Sequence, residues 1–333
     1  MRNTFVYSFV FALLLLYPSL PQSPRADTSI LKLNLGGKGV SGPYFPTVKS
    51  IADLVNQNHT RHGVRLTIRS SRSSVSIINT VLTGKLELGV ARRDHIYQAS
   101  RGLAQWAGRP QTELRSVLNV QAERVALVAF VKSGIRSILD LKGRRIFIGG
   151  PNSDLRPAAI DVLAASGIDP DLDITLKGSV IDEAPGMMKE NEIDAFFYVM
   201  GSMNRDFIDL VYGAGKLYLV PITGPGIDRL LAANPFYQKL MISIQHHPYF
   251  ANKTDTQVLG VKTGLITTTR TAEKTTYLLT REIIGYIKQK KIQNATGEIL
   301  SLREMTTGMA APIHPGATRY YQQAGIDYSA AIP

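Results

Sequence analysis

Four short stretches hold residue types whose chemistry depends on where the chain places them. In LNLGGKGVSGPYFP (Leu33–Pro46), Gly37, Gly39 and Gly42 spell G-x-G-x-x-G between an apolar run and a helical one. A glycine turn that opens a helix exposes backbone N–H groups and the positive end of the helix dipole. It therefore receives an anion, whether phosphate or carboxylate. A dinucleotide site also needs an acid at the end of the second strand, to hold the ribose. That strand ends RLTIRSSRSS, with Arg69 and Arg72 where an acid would stand. Only the variant that receives a 2′-phosphate stays open. The second stretch, RSSRSSVS, puts Ser73 and Ser74 at a helix start, where either can cap the helix and also meet a ligand. The third is VARRDHIYQA, in which Arg92, Arg93 and Asp94 follow a strand end. A guanidinium there can clamp a carboxylate through two parallel hydrogen bonds. The fourth, IFIGGPNSDLRPAA, brings Gly149, Gly150, Asn152, Ser153 and Asp154 to another helix start.

Signatures of catalysis are scarce. The chain has no G-x-S-x-G, no H-E-x-x-H and no Walker A, and it has no cysteine. No cysteine nucleophile, cysteine metal site or disulfide framework is available. DPDLD (Asp169–Asp173) begins like a calcium loop, but Ile174 and Val180 occupy the glycine and glutamate positions. His246 and His247 are adjacent and so do not share a helix face. The reading is of a protein that is not an enzyme, with no cofactor and no metal.

The elements that must position these stretches alternate. Strands are expected at 30–35, 64–69, 88–91, 125–131, 145–148, 174–176, 195–198 and 218–221, with helices between them. The Thr47–Asn58 stretch places Val48, Ile51, Ala52 and Val55 on one stripe. This βαβα order argues for an α/β fold with mostly parallel sheets. Two long apolar strands, ERVALVAFVKSG and LYLVPITGPG, read as two crossings of a hinge. Residues 27–124 with 222–333 then form lobe I, and residues 125–221 form lobe II. The 333 residues, 44% of them hydrophobic, suffice for two such cores. The formal charge is +12, but the densest cluster, KQKKIQ, sits beside an amphipathic helical pattern. That reads as a solvated helix face, with no nucleic-acid partner, on a surface suited to collecting small anions.

The N-terminus has one early cation, Arg2, an apolar run from Phe5 to about Leu16, then Pro18 and Pro21. The run is short of the ~20 residues that span a bilayer and fits a secretory signal peptide over residues 1–26. Cleavage after Ala26 or retention as a membrane anchor are the two alternatives. Either places the protein in the periplasm.

Longer motifs carry a resemblance. SGPYFP is similar to G-x-Y-Y-P, SSVSI to G-S-V-x-N, GKLELGV to G-x-x-D-L-A, and RRD to Q-x-D. IRSILDLKGRRI is similar to I-x-S-L-x-D-L-K-G-K-R-V. NEIDAFFYVMG and HPGATRYYQQAGI match an acidic-Asp-Ala-Phe-Phe strand and a C-terminal motif. From about residue 30 onward the chain thus resembles the TAXI class of extracytoplasmic solute receptors of TRAP transporters. The resemblance implies a type II periplasmic binding-protein fold, whose two lobes close on a small carboxylate, 2-oxoacid or acidic amino acid. It also implies TRAP membrane subunits as partners and a monomeric receptor. A sensor feeding a signalling partner is the alternative.

Carried over position by position, the ligand set is Gly42, Tyr44, Ser73, Ser74, Arg92, Asp94, Asn152, Ser153, Phe197 and Gly201. Arg92 would clamp the carboxylate, and Tyr44 and Phe197 would wall the cleft. Departures fall at these loops. PNSD stands for G-S-G-T, Ile77 for the motif's Asn, Arg92 for its Gln and Met203 for a Pro.

Overall fold

The computed structural model describes residues 30–38, 45–71, 73–179, 183–200, 216–290 and 301–328. The expected signal peptide, with Gly42, Tyr44, Arg72, Gly201 and Met203, lies outside the described residues.

The strands are β1 (Leu31–Lys38), β2 (Val64–Ser71), β3 (Leu88–Arg92), β4 (Leu114–Phe130) and β5 (Arg145–Phe147). They continue with β6 (Thr175–Leu176), β7 (Ala195–Met200), β8 (Leu217–Val220), β9 (Tyr237–Ile242) and β10 (Thr256–Thr268). The main helices are α1 (Phe45–Gln57), α2 (Ser74–Leu82), α3 (Arg93–Arg101) and α4 (Leu155–Ala165). Later in the chain come α5 (Pro225–Ala233), α6 (Glu273–Lys290), α7 (Leu302–Thr306) and α8 (Pro315–Gln323).

The sheet order β2-β1-β3-β10-β4-β7-β5-β6, with β8 also on β4 and β9 on β10, contains one pattern twice. In β2-β1-β3-β10-β4, strand β10 runs antiparallel to both β3 and β4. In β6-β5-β7-β4-β8, strand β4 runs antiparallel to both β7 and β8. Each half is therefore a parallel α/β unit with one returning strand inserted before its last. β4 is the last strand of the first half and the returning strand of the second. This is the two-lobe type II α/β fold.

Each half has its own core. Leu33, Leu35, Val48, Leu66, Val90, Ile284 and Tyr321 belong to the first. Val128, Phe147, Leu163, Phe196, Phe197 and Leu219 belong to the second. Each fully buried aliphatic or aromatic side chain contributes about 1.5–3 kcal/mol. Residues from Ile222 to Val261 also pack into the second core. The chain thus re-enters the first half along β10, which the sequence reading does not foresee, rather than after β8.

The motifs of the resemblance have physical reasons. In HPGATRYYQQAGI, His314 caps α8 by accepting from the Gly316 N–H at 3.1 Å, and Pro315 takes the first helical position. Tyr321 is fully buried and donates to the Val117 carbonyl at 2.5 Å. In IRSILDLKG, the Asp140 carboxylate accepts from the N–H groups of Arg136 and Ser137. Those bonds hold its pKa below the ordinary carboxylate value. Gly37 serves packing, because a Cβ there would lie 2.8 Å from Val48 Cγ2 of α1.

Candidate functional site

Strands β2, β3 and β5 deliver three of the four stretches to one place, between the two halves. The crevice beyond the carboxyl ends of such strands is where open α/β folds receive ligands. Ser73 has extended backbone and caps α2, its hydroxyl accepting from the Ser76 N–H at 3.2 Å. Ser74, the first residue of α2, is fully buried. Its N–H and hydroxyl both donate to Asp154 Oδ2, at 3.2 and 2.8 Å. Asp154 belongs to the other half, at the start of α4. A carboxylate of one half thus sits on the helix N-terminus of the other, where N–H groups and dipole favour it.

Arg92 is fully buried beneath this contact. Its N–H donates to Ser74 Oγ at 3.0 Å. Its Nε and Nη2 donate to the two oxygens of Asp94, at 3.2 and 2.6 Å. Nη1 donates to the Asp154 carbonyl and lies 3.7 Å from Glu123 Oε2, itself fully buried on β4. His95 Nε2 lies 3.5 Å from Asp154 Oδ1. Burial pulls the His95 pKa down, but Asp94 and Asp154 outweigh it, and the net shift is upward. Nearby, Tyr237 donates to Asp161 at 2.6 Å. Burial raises both groups above their ordinary values.

The junction therefore gathers Asp94, Glu123, Asp154 and Asp161 around one arginine and one histidine. The sequence reading assigns Arg92 to a solute carboxylate, but its fork is filled by Asp94. Its measurable work is to hold α3, β4 and α4 in one arrangement. Asn152 is exposed on the loop before α4, and Ser153 Oγ accepts from the Arg156 N–H at 3.3 Å. Phe197 is fully buried in the second core, on β7. The structure thus joins Ser74, Arg92 and Asp94, sets Ser73, Asn152 and Ser153 at the helix starts beside them, and packs Phe197 away inside its half.

Asp154, His95, Glu123 and Tyr237 complete the junction and are absent from the ligand set read from sequence. The one available signal was Asp154 itself, an acid ending PNSD where the resembling motif has Thr.

Arg93 differs from its neighbour. It is buried, yet among the described residues it has no hydrogen-bond or ion-pair partner. Burial brings its pKa down to about 10.

A polar recess of about 480 Å³ lies outside the junction, lined by Asn34, Arg69, Ser70, Ser71, Ser76 and Lys85 among others. Arg69 Nε there donates to Asn34 Oδ1 at 2.9 Å. Among the described residues, no group of three or more His, Asp or Glu side chains is placed to hold a metal ion. No described helix is long and apolar enough to cross a membrane.

The family described as NMT1-like matches residues 35–325. Among solved structures, the chain is similar to the alkanesulfonate-binding protein SsuA from Xanthomonas axonopodis pv. citri bound to MOPS, at 17% identity over 77% of each chain with a TM-score of 0.42. It is similar to PhnD1 from Prochlorococcus marinus in complex with methylphosphonate, at 13% identity over 82% of this chain and 89% of that one, TM-score 0.48. It is also similar to the OxyR2 regulatory domain from Vibrio vulnificus, at 13% identity over 78% of this chain and 97% of that one, TM-score 0.45.

Proposed function

The chain belongs to the NMT1-like family, and on that premise we propose that it is an extracytoplasmic receptor that captures a small organic anion between its lobes. The observation that carries this reading is the convergence of three strand-end junctions, from β2, β3 and β5, between two α/β halves joined through β4 and β10. Such an arrangement can close on a solute by a hinge at the shared strands. Ser74 Oγ donates to Asp154 at 2.8 Å, but both groups are buried in the contact between the halves, so binding rather than catalysis is the role proposed.

Lobe I then comprises residues 27–124 with the chain from the second half of β10 onward, and lobe II the stretch between. This redraws the sequence boundary at residue 222, because Ile222 to Val261 pack into the second core. Ser73, Ser74, Asn152 and Ser153 border the cleft; Gly42, Tyr44 and Gly201 join the ligand set on the motif resemblance alone. Arg92 and Asp94 fix the frame. Residues 1–26 direct export to the periplasm. The motifs SGPYFP, IRSILDLKGRRI and HPGATRYYQQAGI favour a TRAP-type permease as the recipient of the solute.

A thermal-shift screen with dicarboxylates, amino acids, 2-oxoacids, sulfonates and phosphonates tests the reading. A solute at one hundred times its dissociation constant stabilises the folded state by about 2.7 kcal/mol. A chain that no small anion stabilises is not this receptor. Co-purification with TRAP membrane subunits, or its failure, tests the partner.

A further inference from the structure

Arg93 sets a problem that the rest of the fold leaves open. The side chain is only 7% exposed. Its Nε is sealed from solvent with no acceptor, and among the described residues no oxygen receives a hydrogen bond from the guanidinium. A lone ion taken out of water is strongly destabilising unless a counter-charge comes with it. At about 10, the Arg93 pKa still leaves the group charged at neutral pH.

A second cation stands close by. Lys262 is on β10, one residue from Thr263, which pairs with Arg92 in the ladder to β3. Side chains alternate along a strand. Lys262 therefore projects from the face opposite Val261 and Thr263, the ladder partners of Glu123 and Arg92. Its ammonium is half-buried and, like Arg93, has no hydrogen-bond or ion-pair partner among the described residues. Burial, and then the charge of Arg93, hold its pKa below the ordinary lysine value. Glu304 acts in the other direction. The Glu304 carboxylate is, however, tied to the Ser301 N–H and hydroxyl at 3.2 and 2.6 Å.

The surrounding backbone is fixed. Asn119 Nδ2 donates to the carbonyls of Glu304 and Thr307, at 3.1 and 2.8 Å. Gly308 follows with a φ of +64°, and a Cβ there would lie 3.1 Å from Arg93 Nη2. Glycine at this position keeps the outer edge of the guanidinium clear.

We propose that Arg93 and Lys262 form an anion-holding subsite of this receptor on the face of β10 opposite the Arg92 junction, and that its occupant is a small oxyanion head group: carboxylate, sulfonate or phosphonate. The oxyanion supplies the counter-charge that the fold withholds, which makes the subsite stable when filled and strained when empty. The proposal rests on the receptor reading and adds a charge-holding site that the junction residues do not supply.

Thermal melts test it, with acetate, methanesulfonate, methylphosphonate and sulfate, each against sodium chloride of equal ionic strength. At least one probe raises the Tm of the parent, and the four arms identify the head group. Arg93→Met abolishes that response, and Lys262→Met weakens the apparent affinity at least tenfold. Without any oxyanion, Arg93→Met melts higher than the parent, because methionine fills similar space with no charge to desolvate. Lys262→Met melts higher too, by less. An Arg93→Met chain that melts lower than the parent, or that fails to fold, overturns the proposal. So does either variant with the parent's full oxyanion response, or a parent that answers no probe beyond chloride. If the parent answers no probe yet binds an uncharged solute in a wider screen, the subsite falls and a receptor with a different ligand class remains.

Discussion

Arg92 and Arg93 are chemical twins at successive positions, and the fold treats them in opposite ways. Arg92 is enclosed by acids, with Asp94 in its fork, Glu123 at 3.7 Å and the Asp154 carbonyl on its third nitrogen. Arg93 is nearly as deeply buried, and its charge acts on a lysine, Lys262. A guanidinium surrounded by carboxylates holds structure together and has no capacity for a solute. A desolvated guanidinium without a carboxylate has that capacity, because its electrostatic work is unfinished. Burial alone does not separate a structural ion from a binding one; the company it keeps does.

The contrast can be broken most forcefully at Arg92. Arg92→Met leaves Asp94 and Glu123 buried together without their counter-ion. Urea denaturation is expected to show a loss of about 3–5 kcal/mol, opposite in sign to Arg93→Met. A smaller effect comes from Asp154→Ala, which removes a charged acceptor from two Ser74 donors and from His95. Its expected cost is about 2 kcal/mol. A larger radius of gyration in solution scattering should accompany it, as the halves lose a direct tie. An unchanged radius would show that the hinge strands set the closure unaided.

The smallest effect is a pH dependence. The His95 pKa is raised in the fold, so its contribution is fully present below about 6.5. It is lost as pH rises through the folded value. Burial lowers His62, His247 and His314. Their contributions are present above about 6.5 and lost as pH falls below it. Replacing His95 by Gln should therefore reduce stability at pH 5.5 relative to pH 8. A parent and variant with parallel pH profiles would remove His95 from the junction's electrostatics.

Much of the scaffold was legible because it obeys local rules. Apolar runs placed β1 to β3 and β5 to β8 within a few residues, and the stripe of Val48, Ile51, Ala52 and Val55 is buried as its spacing requires. The first half of β4 and all of β9 and β10 were not. Ser116, Asn119, Glu123 and Arg124 interrupt the first with buried polar groups, and Gly260 and Gly264 with several threonines do so in β10. Strands that join two lobes are read poorly by alternation, since both faces are covered and polar groups there pair with one another.

The site was half legible. Helix starts after strands are a local pattern, so Ser73, Ser74, Arg92 and Ser153 could be found. The pairing of Ser74 with Asp154 spans eighty positions, and nothing local encodes it. For the same reason, no motif distinguishes which of two adjacent arginines meets an acid.

Strand β4 has a consequence for how the chain is made and unmade. Leu114 to Val125 finish one sheet by pairing with β10, and Arg124 to Phe130 complete the other against β7 and β8. Neither sheet can be completed while the other is absent. Pairing Leu114 with Thr268 closes a loop through the whole second half of the sheet, a contact of high order that slows folding. The two halves have separate cores and are inseparable for assembly, so a cut that frees one of them leaves both with an exposed strand edge.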